Sequence, residues 1–345
     1  MIPRKPSRNQ SESQSRSRSK NQSEKLTRAY FTNPMELLER LNLTPQQMSF
    51  SAEAAEKFRF KVPEAYVNKI QPGKANDPLL LQIFPVQQEL KSVPGYIMDP
   101  LAEADSLYQP GLLQKYDGRA LLLVTPGCAI NCRYCFRRHY PYDDKGHLWE
   151  QLKKNIQLIK QDSTITEIIL SGGDPLSLSD ARFAELITLL ESVPHLKRLR
   201  IHSRFPIVEP DRISDELLDI LLGSRFQFIM VLHINHAQEI GPDSKTSIEK
   251  LRNKQVILLN QSVLLKGVND NAGILAQLSE ILIENHIIPY YLHMLDHVQG
   301  SAHFEVSDND AIQIHQQLRA VLPGYMLPRL VREVAGEKSK LPVYD

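Results

Sequence analysis

The chain has 345 residues, of which 42% are hydrophobic and 23% charged, and its formal net charge at pH 7 is +1. This composition is typical of a soluble globular protein with a large core. No apolar run is long enough to span a bilayer and no secretory segment follows Met1, so the sequence excludes a membrane protein and predicts a cytoplasmic one.

The N-terminal segment differs in charge from the rest of the chain. Residues 1–28 carry eight basic side chains against Glu12 and Glu24, a net charge of +6, which leaves the remaining chain near −5. Residues 9–24 contain no apolar side chain and cannot bury enough surface to fold alone. We therefore predict a disordered basic leader over residues 1–28. An arm that binds RNA or an acidic partner is the alternative.

In the predicted N-terminal region 29–110, residues 31–110 show helix start signals and proline-punctuated loops without clear strands. Asn33 before Pro34 is typical of a capped helix start, and Thr44 before Pro45 indicates a second one. We predict an N-terminal helical extension for this region.

From Arg119 onward, apolar runs typical of strands alternate with amphipathic segments of helical period. The predicted strands are 120–125, 167–171, 198–202, 227–233, 255–261 and 287–292, and the predicted helices between them are 149–159, 181–190, 214–222 and 274–283. After the first pair the strands recur about every 30 residues, the spacing of βα units in a parallel sheet. We predict an α/β fold with a partial (β/α)6 barrel over residues 111–330.

All three cysteines of the chain lie just after the first predicted strand, with C-x3-C-x2-C spacing at Cys128, Cys132 and Cys135. In parallel barrels this is the carboxyl-terminal mouth, where active sites collect. Three thiolates suit an iron–sulfur cluster better than structural zinc, which normally has four protein ligands. A [4Fe–4S] cluster held by three cysteines leaves one iron open to a small molecule. A zinc site completed by a histidine and three buried structural thiols are the alternatives.

Seven separated motifs follow one another in this part of the chain. They are the cysteine stretch with its exit CFRR (135–138), SGGDPL (171–176), IHSRFP (201–206), HINH (233–236), NQSVLLKGVND (260–270), PYYLHMLD (289–296) and GEKSKLP (336–342). In this order, over about residues 80–345, the sequence resembles the lysine 2,3-aminomutase family of radical S-adenosylmethionine (SAM) enzymes. It is most similar to the short bacterial branch (EpmB-type proteins), which makes (R)-β-lysine to modify elongation factor P.

The resemblance implies two sets of residues for the cluster and SAM. The cluster ligands are Cys128, Cys132 and Cys135. The positions near SAM are Ser171, Gly172, Gly173, Asp174, His233 and Gln261. Glycines let a backbone approach a ligand closely, and the carboxylate of the turn can pair with an ammonium group. A plain βα turn and satisfied polar core groups are the alternatives.

The resemblance also implies a pyridoxal 5′-phosphate (PLP) site in the C-terminal segment 331–345. Lys340 matches the lysine that holds PLP as a Schiff base, and the motif register selects it over Lys338. Tyr116 and Arg119 fall where the family binds the PLP phosphate, and an arginine fork matches phosphate oxygens.

Three charged residues match family positions that hold the substrate. Arg137 aligns with the partner of the substrate carboxylate, and Asp296 and Glu333 align with two acids that hold the far ammonium of L-lysine. The long enzymes have aspartate in place of Glu333, and its extra methylene puts the product stereochemistry in doubt. Surface carboxylates are the alternative for both acids.

A second departure concerns zinc. The long enzymes have a cysteine where this chain has Asn271, and further cysteines in a C-terminal extension form a zinc site between subunits. Since this chain has no other cysteine, we expect no structural zinc, and a monomer or weaker oligomer becomes plausible.

The resemblance implies an isomerase that converts L-lysine to β-lysine of the R form. A cellular one-electron reductant would reduce the cluster, which would cleave SAM to a 5′-deoxyadenosyl radical that abstracts hydrogen from C3 of lysine. The product would supply the elongation factor P lysylation system. One alternative is a radical SAM enzyme that acts on another amino acid or without PLP. A metal-stabilised nucleic-acid-binding protein that uses the basic leader is a remote one, so a nucleic-acid partner is disfavoured.

Overall fold

The computed structural model describes residues 30–103, 107–142 and 147–343. The predicted leader over residues 1–28 lies outside the described residues, so its disorder stays a prediction. Within these ranges, no helix combines the length and the apolar character that crossing a membrane requires.

The N-terminal region consists of short helices next to a two-stranded antiparallel sheet. Its elements in chain order are β1 (Tyr30–Phe31), α1 (Pro34–Arg40), α2 (Ala52–Lys57), β2 (Val62–Pro63), α3 (Glu64–Val67) and α4 (Pro78–Leu81). The predicted capped start at Asn33 is confirmed, because the Asn33 side chain accepts a hydrogen bond from the Met35 amide at 2.9 Å.

Two expectations for this region are wrong. Residues 45–49 form a turn rather than a helix, because the Gln47 side chain accepts hydrogen bonds from the amide and the hydroxyl of Thr44. The next helix, α2, begins after its N-cap Ser51. The expected lack of strands is also wrong, since β1 pairs with β2 and β3 (Leu107–Gln109) follows. Strands of two or three residues are too short to show an alternating pattern.

One ten-stranded sheet forms the body of the protein. After β3 it contains β4 (Leu112–Tyr116), β5 (Arg119–Thr125), β6 (Glu167–Gly172), β7 (Arg198–Ser203), β8 (Gln227–His233), β9 (Ile257–Val263), β10 (Ile288–His293), β11 (Arg329–Arg332) and β12 (Leu341–Pro342). Strands β5 to β11 are parallel, whereas β3, β4 and β12 pair antiparallel to their neighbours. The strands lie in chain order with β3 and β12 as the two edges, so the barrel is open.

The helices between the parallel strands complete six βα units. They are α5 (Leu148–Gln161), α6 (Asp180–Glu191), α7 (Phe205–Val208), α8 (Asp215–Gly223), α9 (Pro242–Asn253), α10 (Ala272–Glu284) and α11 (Asp308–Val321). The predicted α/β partial barrel is confirmed, and all six predicted strands and four predicted helices occur with ends shifted by at most two residues. The seventh parallel strand, β11, and the antiparallel edge strands were not predicted.

The largest of three hydrophobic core clusters among the described residues joins the N-terminal region to the barrel. It includes Leu37 of α1 and Leu79 of α4 together with Leu170 of β6 and Leu199 of β7, all fully buried. The predicted regions 29–110 and 111–330 therefore share one core, and their division into domains stays a prediction.

Buried charges tie the cysteine loop to the N-terminal region. The Arg133 guanidinium is fully buried and donates to both carboxylate oxygens of Glu89, at 2.8 and 2.6 Å. It also donates to the carbonyls of Ala54 and Phe58 around the end of α2. Arg138 donates to the same Glu89 carboxylate at 2.7 Å. This cluster, which we call the Glu89 clamp, fixes the backbone on both sides of the last cysteine.

We predict that Glu89→Gln lowers the free energy of unfolding by about 3–5 kcal/mol, because it leaves buried guanidinium groups without their anion. Urea denaturation followed by circular dichroism measures this change. Glu150→Gln is the matched control, since Glu150 pairs with Lys153 at 3.2 Å on the surface, and it should cost less than about 1 kcal/mol. Equal losses in the two variants would contradict the clamp.

Candidate active site

A cavity of about 600 Å³ lies inside the partial barrel and reaches the carboxyl ends of its parallel strands. It brings together every residue that the sequence predicts for the site. These residues are Tyr116, Arg119, Cys128, Cys132, Cys135, Arg137, Ser171, Gly172, Gly173, Asp174, His233, Gln261, Asp296, Glu333 and Lys340. Their placement in one cavity is a finding of the structure, whereas their individual roles stay predictions.

The three thiols lie in the loop after β5 and are free and partly buried. Burial and the neighbouring Cys132 thiol raise the pKa of Cys135 to about 11, and burial raises the pKa of Cys128. Thiols in such surroundings are protonated without a metal and become thiolates when they bind one. This donor set fits an iron–sulfur cluster.

The described parts of the chain contain no group of three or more Cys, His, Asp or Glu side chains placed to hold one metal ion. In a [4Fe–4S] cluster each cysteine binds a different iron, so the sulfurs lie farther apart than the ligands of a single ion. Cluster ligation by Cys128, Cys132 and Cys135 therefore stays a prediction.

The glycine turn after β6 packs directly against the backbone of the cysteine loop. The Gly173 amide donates to the Thr125 carbonyl at 2.7 Å, and the Gly127 carbonyl accepts from the next amide at 2.7 Å. A Cβ on Gly172 would lie 2.4 Å from the Thr125 carbonyl oxygen. One on Gly173 would lie 2.3 Å from the Gly127 carbonyl oxygen. Glycine is needed here for contact between two loops of the protein, whether or not a ligand also approaches.

The Asp174 carboxylate ties this turn to the end of β7. It accepts hydrogen bonds from the Arg204 amide at 2.7 Å and the Ser203 hydroxyl at 3.1 Å, and also from the Leu176 amide at 3.0 Å. Burial raises the pKa of Asp174 to about 6, although these hydrogen bonds oppose the rise. The expected pairing of Asp174 with an ammonium group stays a prediction, and the structure gives it a role within the fold.

Two acids and two lysines gather in another part of the cavity. Glu333 forms hydrogen-bonded contacts with Lys340 and with the Tyr116 hydroxyl, and it lies 3.5 Å from Lys115. Burial raises the pKa of Glu333, but Lys340 and Lys115 more than reverse this effect and lower it to about 2. Burial and the Glu333 charge raise the pKa of Asp296 to about 7. Near neutral pH, Glu333 is ionised and Asp296 is partly protonated.

The pairing of β11 with β12 explains why Lys340 reaches this position. Arg332 lies opposite Leu341 as the last pair of the antiparallel ladder, so Glu333 and Lys340 leave the two strands next to each other. Lys338, the competing lysine in the sequence, is exposed and does not line the cavity. The structure thus brings the predicted lysine into the site and leaves the other outside.

Arg119 and Tyr116 form a cationic, aromatic part of the wall. The Arg119 guanidinium lies over the Tyr116 ring, 4.5 Å from its centroid. Arg200 also lines the cavity and makes a hydrogen-bonded ion pair with Glu167. These groups can hold an anion such as a phosphate. The sequence analysis did not identify Arg200 or Lys115.

Arg137 is held by an acid that the sequence analysis missed. Its Nε and Nη2 donate to the two carboxylate oxygens of Glu103, at 2.8 and 2.7 Å, and its Nη1 donates to the Ser171 hydroxyl at 2.8 Å. A bidentate pair of this kind fixes the guanidinium plane. A substrate carboxylate at Arg137 would share that guanidinium with Glu103 or replace it. No local pattern around Glu103 indicates this contact.

Three histidines whose Nε2 atoms are buried indicate that the cavity takes a ligand. The Nε2 atoms of His202, His233 and His293 are buried and have no hydrogen-bond partner within the part of the chain that the structure describes. Burial lowers the pKa of His233 to about 3 and moves those of His202 and His293 well below their usual value, so all three are neutral. Buried polar atoms are normally paired, so these nitrogens fit a bound cofactor or substrate. Only His233 was predicted.

Comparison with known proteins agrees with this geometry. Residues 122–274 match the family described as the Radical SAM superfamily. The L-lysine 2,3-aminomutase of Escherichia coli (strain K12) is 46% identical over 313 residues, which cover 90% of this chain and 91% of that protein. The L-lysine 2,3-aminomutase of Clostridium subterminale is 34% identical, over 89% of this chain and 74% of that protein.

Among solved structures, the crystal structure of Streptococcus suis SuiB aligns with a TM-score of 0.48 and 14% identity, over 64% of this chain and 50% of SuiB. The two aminomutases are much more similar to this chain in sequence than SuiB is. The alignment with the E. coli protein covers 91% of that protein. The chain therefore belongs to the L-lysine 2,3-aminomutase family of radical SAM enzymes, which are isomerases.

Proposed function

We propose that this protein isomerises L-lysine to β-lysine by moving the amino group from C2 to C3. The observation that carries the proposal is the convergence of the three cysteines, Lys340 and two acids in one cavity. When bound, the cluster and SAM supply the radical that removes an unactivated hydrogen, and PLP supplies the carbonyl that carries the migrating nitrogen. The residues of the chain bind and orient these groups and keep water away from them.

The cofactor-binding residues of the proposal occupy three parts of the cavity. The cluster ligands are Cys128, Cys132 and Cys135, and the residues near SAM are Ser171, Gly172, Gly173, Asp174, His233 and Gln261. Tyr116 and Arg119 would hold the PLP phosphate, because their stacked pair presents a guanidinium to the cavity.

Lys340 is the residue that we propose to hold PLP. Its amine lies against Glu333 and 5.9 Å from the centroid of the Tyr291 ring, inside the cavity. A lysine amine that would hold PLP covalently is no longer free to form its present ion pair with Glu333. Among the residues that the structure describes, Lys115 then remains as the cationic partner of Glu333. The ammonium of a substrate can take the place of the Lys340 amine against Glu333.

This exchange of the cation that pairs with Glu333 supports lysine as the substrate. Asp296 and Glu333 can hold the far ammonium, while Arg137 offers a guanidinium to the carboxylate. An amino acid with an uncharged side chain would leave the two buried acids with Lys115 as their remaining cation among the described residues, which is costly. Three further parts of the proposal rest on the sequence resemblance alone, namely the R form of the product, its use in modifying elongation factor P, and a cytoplasmic reaction driven by a cellular one-electron reductant.

We expect anaerobically reconstituted protein to form β-lysine from PLP, SAM, dithionite and L-lysine, with chiral chromatography and mass spectrometry as the measurement. Lys340→Ala and Cys135→Ala should each slow the reaction by about 10³-fold or more, equivalent to about 4 kcal/mol in the barrier. Lys338→Ala is the matched control and should stay within about twofold, because Lys338 is exposed and outside the cavity lining.

Two results of this assay would contradict the proposal. Formation of 5′-deoxyadenosine without β-lysine would keep the radical chemistry and point to another amino acid. If protein that holds a full cluster forms neither product, the proposed aminomutase activity is rejected.

The pH dependence of kcat/KM for lysine should follow Asp296. Its pKa is about 7 in the structure, where burial and the Glu333 charge raise it and the Lys340 and Lys115 charges oppose the rise. Because the ammonium requires ionised Asp296, kcat/KM should rise about tenfold per pH unit below about 7 and level off above the pKa. Asp296→Asn should weaken lysine binding and remove this rise. A flat wild-type profile between about pH 6 and 7 would exclude Asp296 as the titrating group.

A further inference from the structure

A buried arginine beside the cysteine loop has no part in the proposed chemistry. Arg204 follows β7 in the IHSRFP motif, and only 5% of its surface is exposed. Its Nη1 donates to the Cys132 sulfur at 2.7 Å. Its Nη2 donates to the Glu239 carboxylate at 2.8 Å and to the Gln82 side-chain oxygen at 2.7 Å. One guanidinium thus joins a proposed cluster ligand to a buried acid.

The acid that holds Arg204 is fixed from the opposite side. Glu239 is fully buried, and its other carboxylate oxygen accepts from the amides of Asn235 and His236, at 2.9 and 3.1 Å. The Tyr66 hydroxyl adds a weaker contact to Nη2 at 3.4 Å. The guanidinium is therefore held in one orientation, with Nη1 directed at the sulfur.

The chemistry of iron–sulfur clusters gives this contact a consequence. Hydrogen bonds to the cysteine sulfurs and nearby positive charge stabilise the reduced cluster, which carries one more electron, and so raise its reduction potential. The Arg204 guanidinium contributes both effects at Cys132. The Glu239 carboxylate contributes an opposing charge but makes its contact at the far nitrogen of the guanidinium.

We propose that Arg204 is a positioning residue for the cluster, which orients the Cys132 sulfur and raises the midpoint potential, while Glu239 limits that rise. The inference rests on the proposed function, because it requires Cys132 to be a cluster ligand. The couple is the one-electron reduction of the cluster by an external reductant. The electron enters the cluster, and no bond to Cys132 forms or breaks.

An EPR-monitored redox titration of reconstituted protein, with dithionite as reductant and dye mediators, tests this inference without any turnover of lysine. Arg204→Gln should decrease the ratio of reduced to oxidised cluster at a fixed potential by about tenfold, which is about 59 mV for a one-electron couple. Glu239→Gln should shift the midpoint in the opposite direction, because it removes the opposing charge.

Two further variants separate the electrostatic effect from a loss of packing. Tyr66→Phe removes a contact of the same guanidinium without touching the sulfur, and it should leave the midpoint unchanged. Arg204→Lys keeps the charge but loses the planar fork, so its midpoint should lie between those of wild type and Arg204→Gln. If Arg204→Gln loses its iron, the midpoints of the other two variants test the inference. It then requires a lower midpoint in Arg204→Lys and a higher midpoint in Glu239→Gln than in wild type.

An unchanged midpoint in Arg204→Gln with full iron content would overturn the inference, as would shifts of the same sign in Arg204→Gln and Glu239→Gln. In both cases a normal cluster signal and β-lysine formation by wild type would leave the proposed function standing. Absence of a cluster signal from wild type would overturn both.

Discussion

The position of the cysteine loop depends on the buried Glu89 clamp. The residues from Cys128 to Cys135 belong to no helix or strand, so ladder hydrogen bonds do not determine their backbone. Arg133 lies between two cysteines and anchors the loop to Glu89. Because the anchor lies in the N-terminal region, that region is part of the site and not an independent appendage.

Much of the barrel was predictable because its signals are local. A buried parallel strand is a continuous apolar run, and a covering helix has a period near 3.6, so both can be read within one window of sequence. Strand β8, for example, was predicted with its observed bounds, Gln227–His233. β11 and β12 could not be found in this way, since four and two residues carry no measurable period and their strand geometry depends on neighbours distant in sequence.

The residues of the site also divide into those that a local sequence pattern indicates and those that depend on contacts distant in sequence. Cys128, Gly173 and Lys340 stand in recognisable motifs, and all of them line the cavity. Glu103 and Lys115 became visible only once the structure placed them against Arg137 and Glu333. The residues next to such a carboxylate in the sequence do not indicate that it neutralises a cation distant in the chain. Single-sequence reasoning therefore finds the residues that carry motifs and misses the groups that balance their charge.

Buried ion pairs surround the cysteine loop. Within the described part of the chain, four of them join an arginine to a glutamate, namely Arg133–Glu89, Arg138–Glu89, Arg137–Glu103 and Arg204–Glu239. Apolar contacts of similar volume can give equal or greater stability, so stability alone does not explain them. An arginine fork fixes orientation as well as distance, which non-directional packing cannot do.

The charges around the loop also do not cancel. Arg138 shares Glu89 with Arg133, which leaves one excess positive charge in that group. Nearby cations favour thiolates and oppose the burial that raises the pKa values of Cys128 and Cys135. The Glu89 clamp therefore positions the loop and also supplies positive charge, which stabilises anionic, metal-bound sulfurs.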